Sequence, residues 1–416
     1  MLYSRFCIKK MGIPFTLIIL QQLDTINCLK NVAYKTGLVY NTTFSEMTGN
    51  YIYLKTENLQ KTGSFKVRGA FNKIAHLSDE EKRNGVIASS AGNHAQGVAM
   101  AATSYKIKST IVMPKHAPLS KISATKSYGA EVVLHGEIYD EAYEKAKEIQ
   151  RETGATFVHP FNDPYVIAGQ GTIGLEIMED LPDVDMIVVP IGGGGLISGI
   201  AIAVKSINPN VKIIGVQTEN VPSIVKSISE NHVSTVDGKP TIADGIAVKT
   251  PGEITFNIIK EYVDDVVTVG EDEIANSILL LLERAKVISE GAGAASLAAV
   301  LNRLDNIKNK KIVALISGGN IDVNMLSRII DKGLVKSGRK IIVRTIIEDR
   351  PGTLGKLLNL VAGTGANVLS VLHNRSTADL PIGYANVELE LETVNEEHVE
   401  KIKQLLSFEN YNYKLL

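Results

Sequence analysis

Two segments far apart in the chain could do chemistry together. Lys66 stands in the run Lys61-Thr-Gly-Ser-Phe-Lys-Val-Arg-Gly-Ala70, and four glycines, Gly192 to Gly195, followed by Leu196 and Gly199, come directly after the apolar run Asp185-Met-Ile-Val-Val-Pro-Ile191. The lysine offers an amine just ahead of a helical segment. Thr62-Gly63-Ser64 reads as a turn with an N-cap, and Phe65 and Val67 flank the amine with apolar surface. Partial desolvation by such neighbours lowers an amine's pKa and frees it as nucleophile and base. The glycine run is too costly for the interior of a helix or strand and fits a place where backbone approaches a ligand with no Cβ in the way. It opens a helical run from Leu196 to Ser206, whose first N–H groups and dipole favour an anion. No Lys-Ser/Thr pair follows as in a nucleoside-triphosphate loop, and the Gly-x-Gly-x-x-Gly pattern fits poorly. An amine plus an anion cradle describes a site for an aldehyde that carries a phosphate, and pyridoxal phosphate meets that description.

Two further strand ends join this pair. Gly85-Val-Ile-Ala-Ser-Ser-Ala-Gly-Asn-His94 reads as a strand, a small-residue turn and then a helix over Ala95–Thr103; its N–H groups suit a carboxylate, and Asn93 suits a ring oxygen. Lys311-Ile-Val-Ala-Leu-Ile-Ser-Gly-Gly-Asn320 is a strand that ends in the hydroxyl of Ser317. One such end alone is ordinary turn chemistry. Four in one α/β chain point to a ligand, because ligands gather at strand ends.

Taken as a set, Ser-Phe-Lys-x-Arg-Gly-Ala, Ser-Ala-Gly-Asn-His-Ala-Gln-Gly, Gly-Gly-Gly-Gly-Leu and Ser-Gly-Gly-Asn resemble, in order and spacing, the threonine dehydratases (threonine ammonia-lyases) of the fold-type II pyridoxal-phosphate enzymes. The likeness runs from about residue 17 to about residue 330. It implies pyridoxal 5'-phosphate as cofactor, with Lys66 as the Schiff-base lysine and Phe65 beside it. It implies that Asn93 contacts the phenolic oxygen, that Gly192, Gly193, Gly194, Gly195 and Leu196 hold the phosphate, and that Ser317 meets the pyridine nitrogen. Ser89, Ser90, Ala91, Gly92 and Asn93 would hold the substrate carboxylate. The implied reaction is β-elimination from L-threonine to 2-oxobutanoate and ammonia, or from L-serine to pyruvate, in isoleucine synthesis or in threonine catabolism. A hydroxyl at Ser317, unlike a carboxylate, does not hold the pyridine nitrogen protonated, which favours loss of a β leaving group.

Serine racemases share most of these motifs. They use a serine hydroxyl where Ala91 stands here, after Ser90, and alanine cannot shuttle a proton; Gln217 and Ser223 stand where that family's cation-binding carboxylates align. A racemase or β-replacement enzyme is therefore the second reading, no metal site is expected, and a pyridoxal-phosphate-binding amino-acid sensor without turnover is the third.

With 416 residues, 44% hydrophobic and 21% charged, and a formal net charge of −1, the chain has the make-up of a globular protein of two or three domains with no nucleic-acid or membrane partner. The expected assembly is a homodimer or homotetramer. Two cysteines, Cys7 and Cys28, imply no disulfide framework and suit a reducing cytoplasm. The basic start and the apolar stretch to Leu20 read as a short extension (1–16) and an amphipathic first helix rather than a signal peptide, with Met11 as an alternative start.

To position such a site the chain needs alternating strands and helices. Strands are expected at Gly85–Ser89, Ser109–Met113, Glu131–Leu134, Met186–Ile191, Lys212–Val216 and Ile312–Ile316, and helices at Asp140–Thr153 and Asp272–Val287. That order argues for an α/β fold with parallel sheets, and the resemblance implies two lobes, the smaller (about 60–158) inserted in a catalytic domain of residues 17–336. Asn162–Gly171 reads as a loop leading into a helix at Thr172–Glu179, Ile242–Gly245 as a loop, and Glu290–Gly293 as a helix start. Ser337-Gly338-Arg339 marks a break, after which 340–416 reads βαββαβ, a ferredoxin-like α+β arrangement. Its Asp349-Arg-Pro-Gly-Thr-Leu and Gly365-Ala-Asn367 resemble an ACT domain. That makes Asp349, Arg350, Pro351, Gly352 and Asn367 candidate regulatory residues for an amino-acid effector such as isoleucine or valine. A dimerisation surface is the alternative role for the module, and AMP the alternative effector.

Overall fold

A computed structural model of the chain describes residues 25, 29, 32–376 and 380–416. The expected extension, Met11, Cys7, Cys28 and most of the expected first helix lie outside these residues. Two compact units divide at Asp322/Val323. The break falls earlier than Ser337–Arg339 because helix Val323–Lys336 belongs with the C-terminal unit: Ile329 is buried there, and Asp331 pairs with Lys340 at 3.2 Å.

The described residues of the first unit carry ten strands: β1 Leu38–Tyr40, β2 Tyr51–Thr56, β3 Val86–Ser89, β4 Ser109–Met113, β5 Glu131–Leu134, β6 Thr156–Phe157, β7 Met186–Pro190, β8 Lys212–Thr218, β9 Asp265–Val269 and β10 Lys311–Ile316. They form a six-stranded sheet in the order β1-β2-β10-β7-β8-β9 and a four-stranded sheet in the order β5-β4-β3-β6. Every pairing is parallel except β1 with β2. β2 and β7 lie in one sheet while β3 to β6 lie between them in the chain, so the smaller sheet is an insertion into the larger. β7 and most of β10 are buried along their length, as strands covered on both faces must be. Each sheet has its own apolar core, one built on Val86, Ile111 and Met113, the other on Ile187, Val189, Val313 and Leu315.

Two expectations are corrected here. Asn162–Gly171 is not a loop: helix Pro164–Asp180 begins at Pro164, with Asp163 as N-cap accepting from the N–H of Tyr165 (2.8 Å) and Val166 (3.2 Å). Its glycines are contact points rather than breaks. A Cβ on Gly169 would lie 2.6 Å from Arg68 O, and one on Gly199, in helix Gly195–Ile207, would lie 2.2 Å from Ile167 O. The helix expected over Asp272–Val287 stops at Leu280, widens into a π turn at Leu281–Ala285 and ends at Lys286, whose φ is +58°.

The C-terminal unit has β11 Lys340–Glu348, helix Thr353–Ala362, β12 Asn367–Asn374, β13 Tyr384–Glu392, helix Glu396–Phe408 and β14 Tyr413–Leu415. The sheet order β12-β13-β11-β14, antiparallel throughout, is ferredoxin-like. Val343, Val387 and Leu389 fill its core with Leu357 and Ile402 from the helices.

Candidate active site

Parallel strands end on the same side, and the segments that follow β2, β3, β7 and β10 form the site. After β2 the chain makes a 3₁₀ turn, Glu57–Leu59, and reaches helix Lys66–Ala75, whose first residue is the lysine. Ser64 does not cap this helix. Phe65 occupies the N-cap position without a side-chain bond, because the backbone before the helix is held to the end of β10: Ser64 bridges Gly318, and Phe65 N–H donates to Ser317 O at 3.1 Å. The hydroxyls of Thr62 and Ser64 are thereby left buried without a partner.

Lys66 Nζ donates to Pro160 O at 3.0 Å and lies 5.2 Å from the centre of the Phe65 ring. Desolvation pulls its amine down to about 8, against a smaller opposing pull from Glu290. His94, held at 2.8 Å to Val158 O, and His159, which accepts from Asn162 N–H at 2.9 Å, are both neutral. Burial lowers them to about 3 and about 4, and Lys66 pushes each in the same direction.

Phe161 follows Pro160 and packs on the glycine turn. A Cβ on Gly193 would lie 2.3 Å from its ring and one on Gly195 2.9 Å from its backbone, while one on Gly194, at φ +94°, would strike Thr255 and Ile259 at 2.8 Å. The expectation that side chains are missing here to let a ligand approach is corrected by this geometry: the Cβ directions of Gly193 to Gly195 point into protein. Ile191 N–H donates to Val216 O (2.7 Å) and Ser198 N–H to Gly194 O (3.0 Å), and among the described residues no recorded turn bond comes from the amides between them. Thr255 Oγ1 fixes the turn by donating to Gly193 O at 2.6 Å. Leu196 follows on the first helical turn, its side chain in the core of the larger sheet.

The turn after β3 presents Ser89, buried with an unpartnered hydroxyl, then Ser90, Ala91 and Gly92, and then Asn93 as the first residue of helix Asn93–Ser104. Ser90 Oγ is held by Gly92 N–H at 3.2 Å, Ala91 packs against the smaller core, and nothing lies within 4 Å of a Cβ built on Gly92. Asn93 Nδ2 donates to Glu290 Oε1 at 2.6 Å, and Asn93 Oδ1 accepts from Asn320 Nδ2 at 2.7 Å. Ser317 is buried at the end of β10. The structure thus brings Lys66, Phe65, the Ser89–Asn93 turn, the glycine turn and Ser317 into one unit.

Sequence reasoning did not single out Glu290 or Asn320 as site residues. Glu290 is the N-cap of helix Gly291–Asn302, buried, with its carboxyl against Gly318. Burial raises that carboxyl to about 7, with Asp244 adding to the rise and Asn93, Lys121 and Lys66 opposing it. The Glu290-Gly-Ala-Gly293 helix start marked the place but not the carboxylate's partner. Gln217 and Ser223 bond each other at 3.3 Å, and Gln217 Oε1 accepts from Ile224 N–H and Val225 N–H.

The candidate regulatory residues lie in the C-terminal unit. Asp349 accepts from Arg375 Nε at 2.6 Å, Arg350 pairs with Glu348 at 3.4 Å, Pro351 is exposed, Gly352 sits at φ +90° before its helix, and Asn367 donates to Glu392 at 3.2 Å. The register aligns Glu348 with Tyr384 and Asn367 with Glu392, at opposite ends of β13. Within one chain, therefore, the sheet separates 349–352 from Asn367.

The groups around this site suit a phosphorylated aldehyde: a desolvated amine, helix-start amides that make no turn bond among the described residues, and buried unpartnered hydroxyls at Thr62, Ser64 and Ser89. Residues 29–318 match the family model described as pyridoxal-phosphate dependent enzyme. The L-threonine ammonia-lyase of Thermotoga maritima is 64% identical over 388 residues, 93% of this chain and 96% of that protein, a match long enough to run into the C-terminal unit. The L-threonine dehydratase catabolic TdcB of Escherichia coli is 54% identical over 298 residues, 71% of this chain and 91% of that protein. Among solved structures, the processed form of threonine deaminase isoform 2 from Solanum lycopersicum superposes with a TM-score of 0.73 at 39% identity, covering 76% of this chain and 93% of its own. Maize serine racemase gives 0.72 at 36%, covering 76% and 98%. By sequence, fold and the chemistry of the cleft, the chain belongs to the pyridoxal-phosphate dependent enzymes.

Proposed function

We propose that this protein is a threonine ammonia-lyase that converts L-threonine to 2-oxobutanoate and ammonia, and L-serine to pyruvate and ammonia. The observation that carries the reading is the Lys66 amine, desolvated at a helix start and held by Pro160 O beside the glycine turn. Lys66 would bind the cofactor aldehyde, Gly192 to Leu196 its phosphate, Asn93 its phenolic oxygen and Ser317 its ring nitrogen. Pyridoxal phosphate, when bound, supplies the electron sink that loosens the substrate's Cα–H bond. Lys66 Nζ would take the α proton, its lowered basicity leaving it neutral in a useful fraction near neutral pH, and could pass that proton to the β hydroxyl, which would leave as water. The amides and hydroxyls of Ser89 to Asn93 hold the substrate carboxylate so that the β hydroxyl leaves in one orientation. The relatives named L-threonine ammonia-lyase and threonine deaminase support this assignment.

The test is borohydride reduction of the holoenzyme with peptide mapping, together with a coupled assay for 2-oxobutanoate. A tag on Lys66 and loss of turnover in Lys66→Ala are expected. A tag elsewhere, or an active Lys66→Ala, would overturn the reading. A racemase is the second reading, favoured by the maize neighbour and opposed by Ala91 and by a Ser90 hydroxyl already held by Gly92 N–H; D-serine formation in the same assay would establish it.

The proposal extends to a cytoplasmic homodimer or homotetramer in isoleucine synthesis or threonine catabolism. Its ACT-like C-terminal module would take isoleucine or valine as effector, with AMP acting on the catalytic lobes as the alternative. A site that uses both the 349–352 loop and Asn367 needs two copies of the module, since one sheet holds them apart. A threonine titration with each effector, unchanged in all three, would refute the regulatory part.

A further inference from the structure

Resting on the proposed cofactor site, one buried carboxyl has no role in the steps above. Glu290 comes from the larger lobe and meets Asn93 of the smaller lobe at 2.6 Å. The direction of the Asn93 amide is fixed by a chain of bonds anchored on backbone. Asn320 Nδ2 donates to Thr62 O at 2.7 Å, so its nitrogen end faces that carbonyl, and the same Nδ2 donates to Asn93 Oδ1 at 2.7 Å. Asn93 therefore turns its oxygen to Asn320 and its NH2 to Glu290. One N–H goes to the carboxylate and the second remains as a donor. The carboxyl's position is kept open by glycines: a Cβ on Gly318 would lie 2.2 Å from Glu290 Oε1 and one on Gly245 3.6 Å from it.

We propose that Glu290 is a positioning residue of the cofactor site, holding the Asn93 amide with its free N–H toward the cofactor's phenolic oxygen and loosening that hold when it takes up a proton. Ionised Glu290 accepts the Asn93 N–H in a charge-assisted bond; protonated, it accepts more weakly, so the hold on that end loosens while Asn320 still keeps the amide's oxygen end. The charged groups facing it from the surrounding elements are Lys66 on helix Lys66–Ala75, Asp244 in the 3₁₀ turn Asp244–Ile246, and Lys121 on helix Leu119–Ser127. Asp244 and Lys121 pair across the lobes at 3.0 Å. Asp244 favours the protonated carboxyl, while Lys121, Lys66 and the Asn93 bond favour the ionised one, and desolvation tips the balance to about 7.

The experiment is a pH titration, from 5.5 to 9.5, of the visible absorbance of the holoenzyme's bound cofactor. Wild type, Glu290→Gln, Glu290→Asp, Asp244→Asn and Lys121→Met are compared, and cofactor content is measured after denaturation. A wild-type transition within this range is expected, lost in Glu290→Gln with cofactor still bound and kept in Glu290→Asp. Asp244→Asn should move it to lower pH and Lys121→Met to higher pH. A merely structural carboxylate would produce neither shift. An unchanged transition in Glu290→Gln, or no wild-type transition in this range, overturns the proposal. Absence of any cofactor band in wild type, with no borohydride tag on Lys66, overturns the cofactor assignment itself.

Discussion

Replacing Arg68 by methionine tests how the lysine is held in place. Arg68 lies two residues after Lys66 on the same helix and is buried with Glu57 and Lys55, while Glu176 is nearly so. Its guanidinium binds Glu57 through Nε (2.9 Å) and Nη2 (2.8 Å), and Glu176 through Nη1 (2.6 Å) and Nη2 (3.0 Å); further bonds go to Thr172 Oγ1 (3.1 Å) and Tyr34 O (3.0 Å). Lys55 Nζ is occupied by Glu176 (2.6 Å) and Thr36 O (2.7 Å). Two cations and two carboxylates thus tie β2, its following turn, the Lys66 helix and helix Pro164–Asp180 together. Methionine keeps the stem but leaves Glu57 buried without its cation, a loss of about 3–5 kcal/mol near pH 7. Adding Glu57→Gln removes the stranded charge, so Glu57→Gln/Arg68→Met should be more stable than Arg68→Met alone. The pH dependence has a definite sign. In wild type, burial would raise the Glu57 carboxyl, but Arg68, helped by Thr36 and Lys55, outweighs it and holds the carboxyl below the usual carboxylate range. That contribution is complete above the ordinary carboxylate pKa and fades as pH falls through the lowered one. In Arg68→Met burial is opposed only by the Thr36 hydrogen bond and by Lys55, Glu57 protonates more easily, and the penalty shrinks between pH 7 and pH 5. Urea unfolding followed by far-ultraviolet circular dichroism measures all three variants at both pH values. A penalty below about 1 kcal/mol, or a double variant no more stable than Arg68→Met, would refute the claim that this network anchors the catalytic helix.

Three further outcomes follow from the same geometry. Asp163→Ala removes an N-cap and the 2.8 Å partner of Lys73, and should cost about 2 kcal/mol in urea unfolding. Gly193→Ala drives a Cβ to 2.3 Å from the Phe161 ring and should cost about 1–3 kcal/mol, lowering cofactor retention on dialysis; Phe161→Ala in the same chain should relieve the clash and restore part of the loss. Reattachment of pyridoxal phosphate to apoenzyme, followed by absorbance, should speed up with pH to a midpoint near 8, since only the neutral amine reacts. A midpoint near that of free lysine would refute the desolvation of Lys66, and Glu290→Gln should move the midpoint lower because Glu290 supports the charged amine.

What the sequence made legible is what local pattern controls. Ser109–Met113 and Glu131–Leu134 fall where the β-branched runs placed them, and the last unit follows its predicted βαββαβ order because each element carries its own period. Pro164 was missed because Asn-Asp-Pro reads equally as a turn and as an N-cap followed by a first-turn proline. The glycines that follow are the points at which Arg68 O and the helix after the glycine turn come close. Glu290 was hidden for another reason. Its partner Asn93 is 197 residues away, and nothing local distinguishes a glutamate that merely occupies an N-cap position from one whose carboxylate meets an amide of the other lobe.

The same topology explains why one cleft both weakens an amine and gathers anions. Strands of a parallel sheet hand over to helices at one edge, and helices Lys66–Ala75, Asn93–Ser104, Gly195–Ile207 and Gly291–Asn302 all begin at the site. A helix N-terminus carries roughly half a positive charge. At Gly195 that field favours a phosphate and at Asn93 a substrate carboxylate; at Lys66 it disfavours ammonium, reinforcing the desolvation that brings the amine to about 8. Glu290, at the start of its own helix, would by this rule be held ionised. Its carboxyl instead rises to about 7, so desolvation and Asp244 outweigh the dipole there, and the carboxyl stays close to balance between its two protonation states. A protein group fully ionised at that position would compete for the positive field that the phosphate and the carboxylate of the substrate need. A carboxyl near balance carries only part of that charge and still accepts the Asn93 N–H.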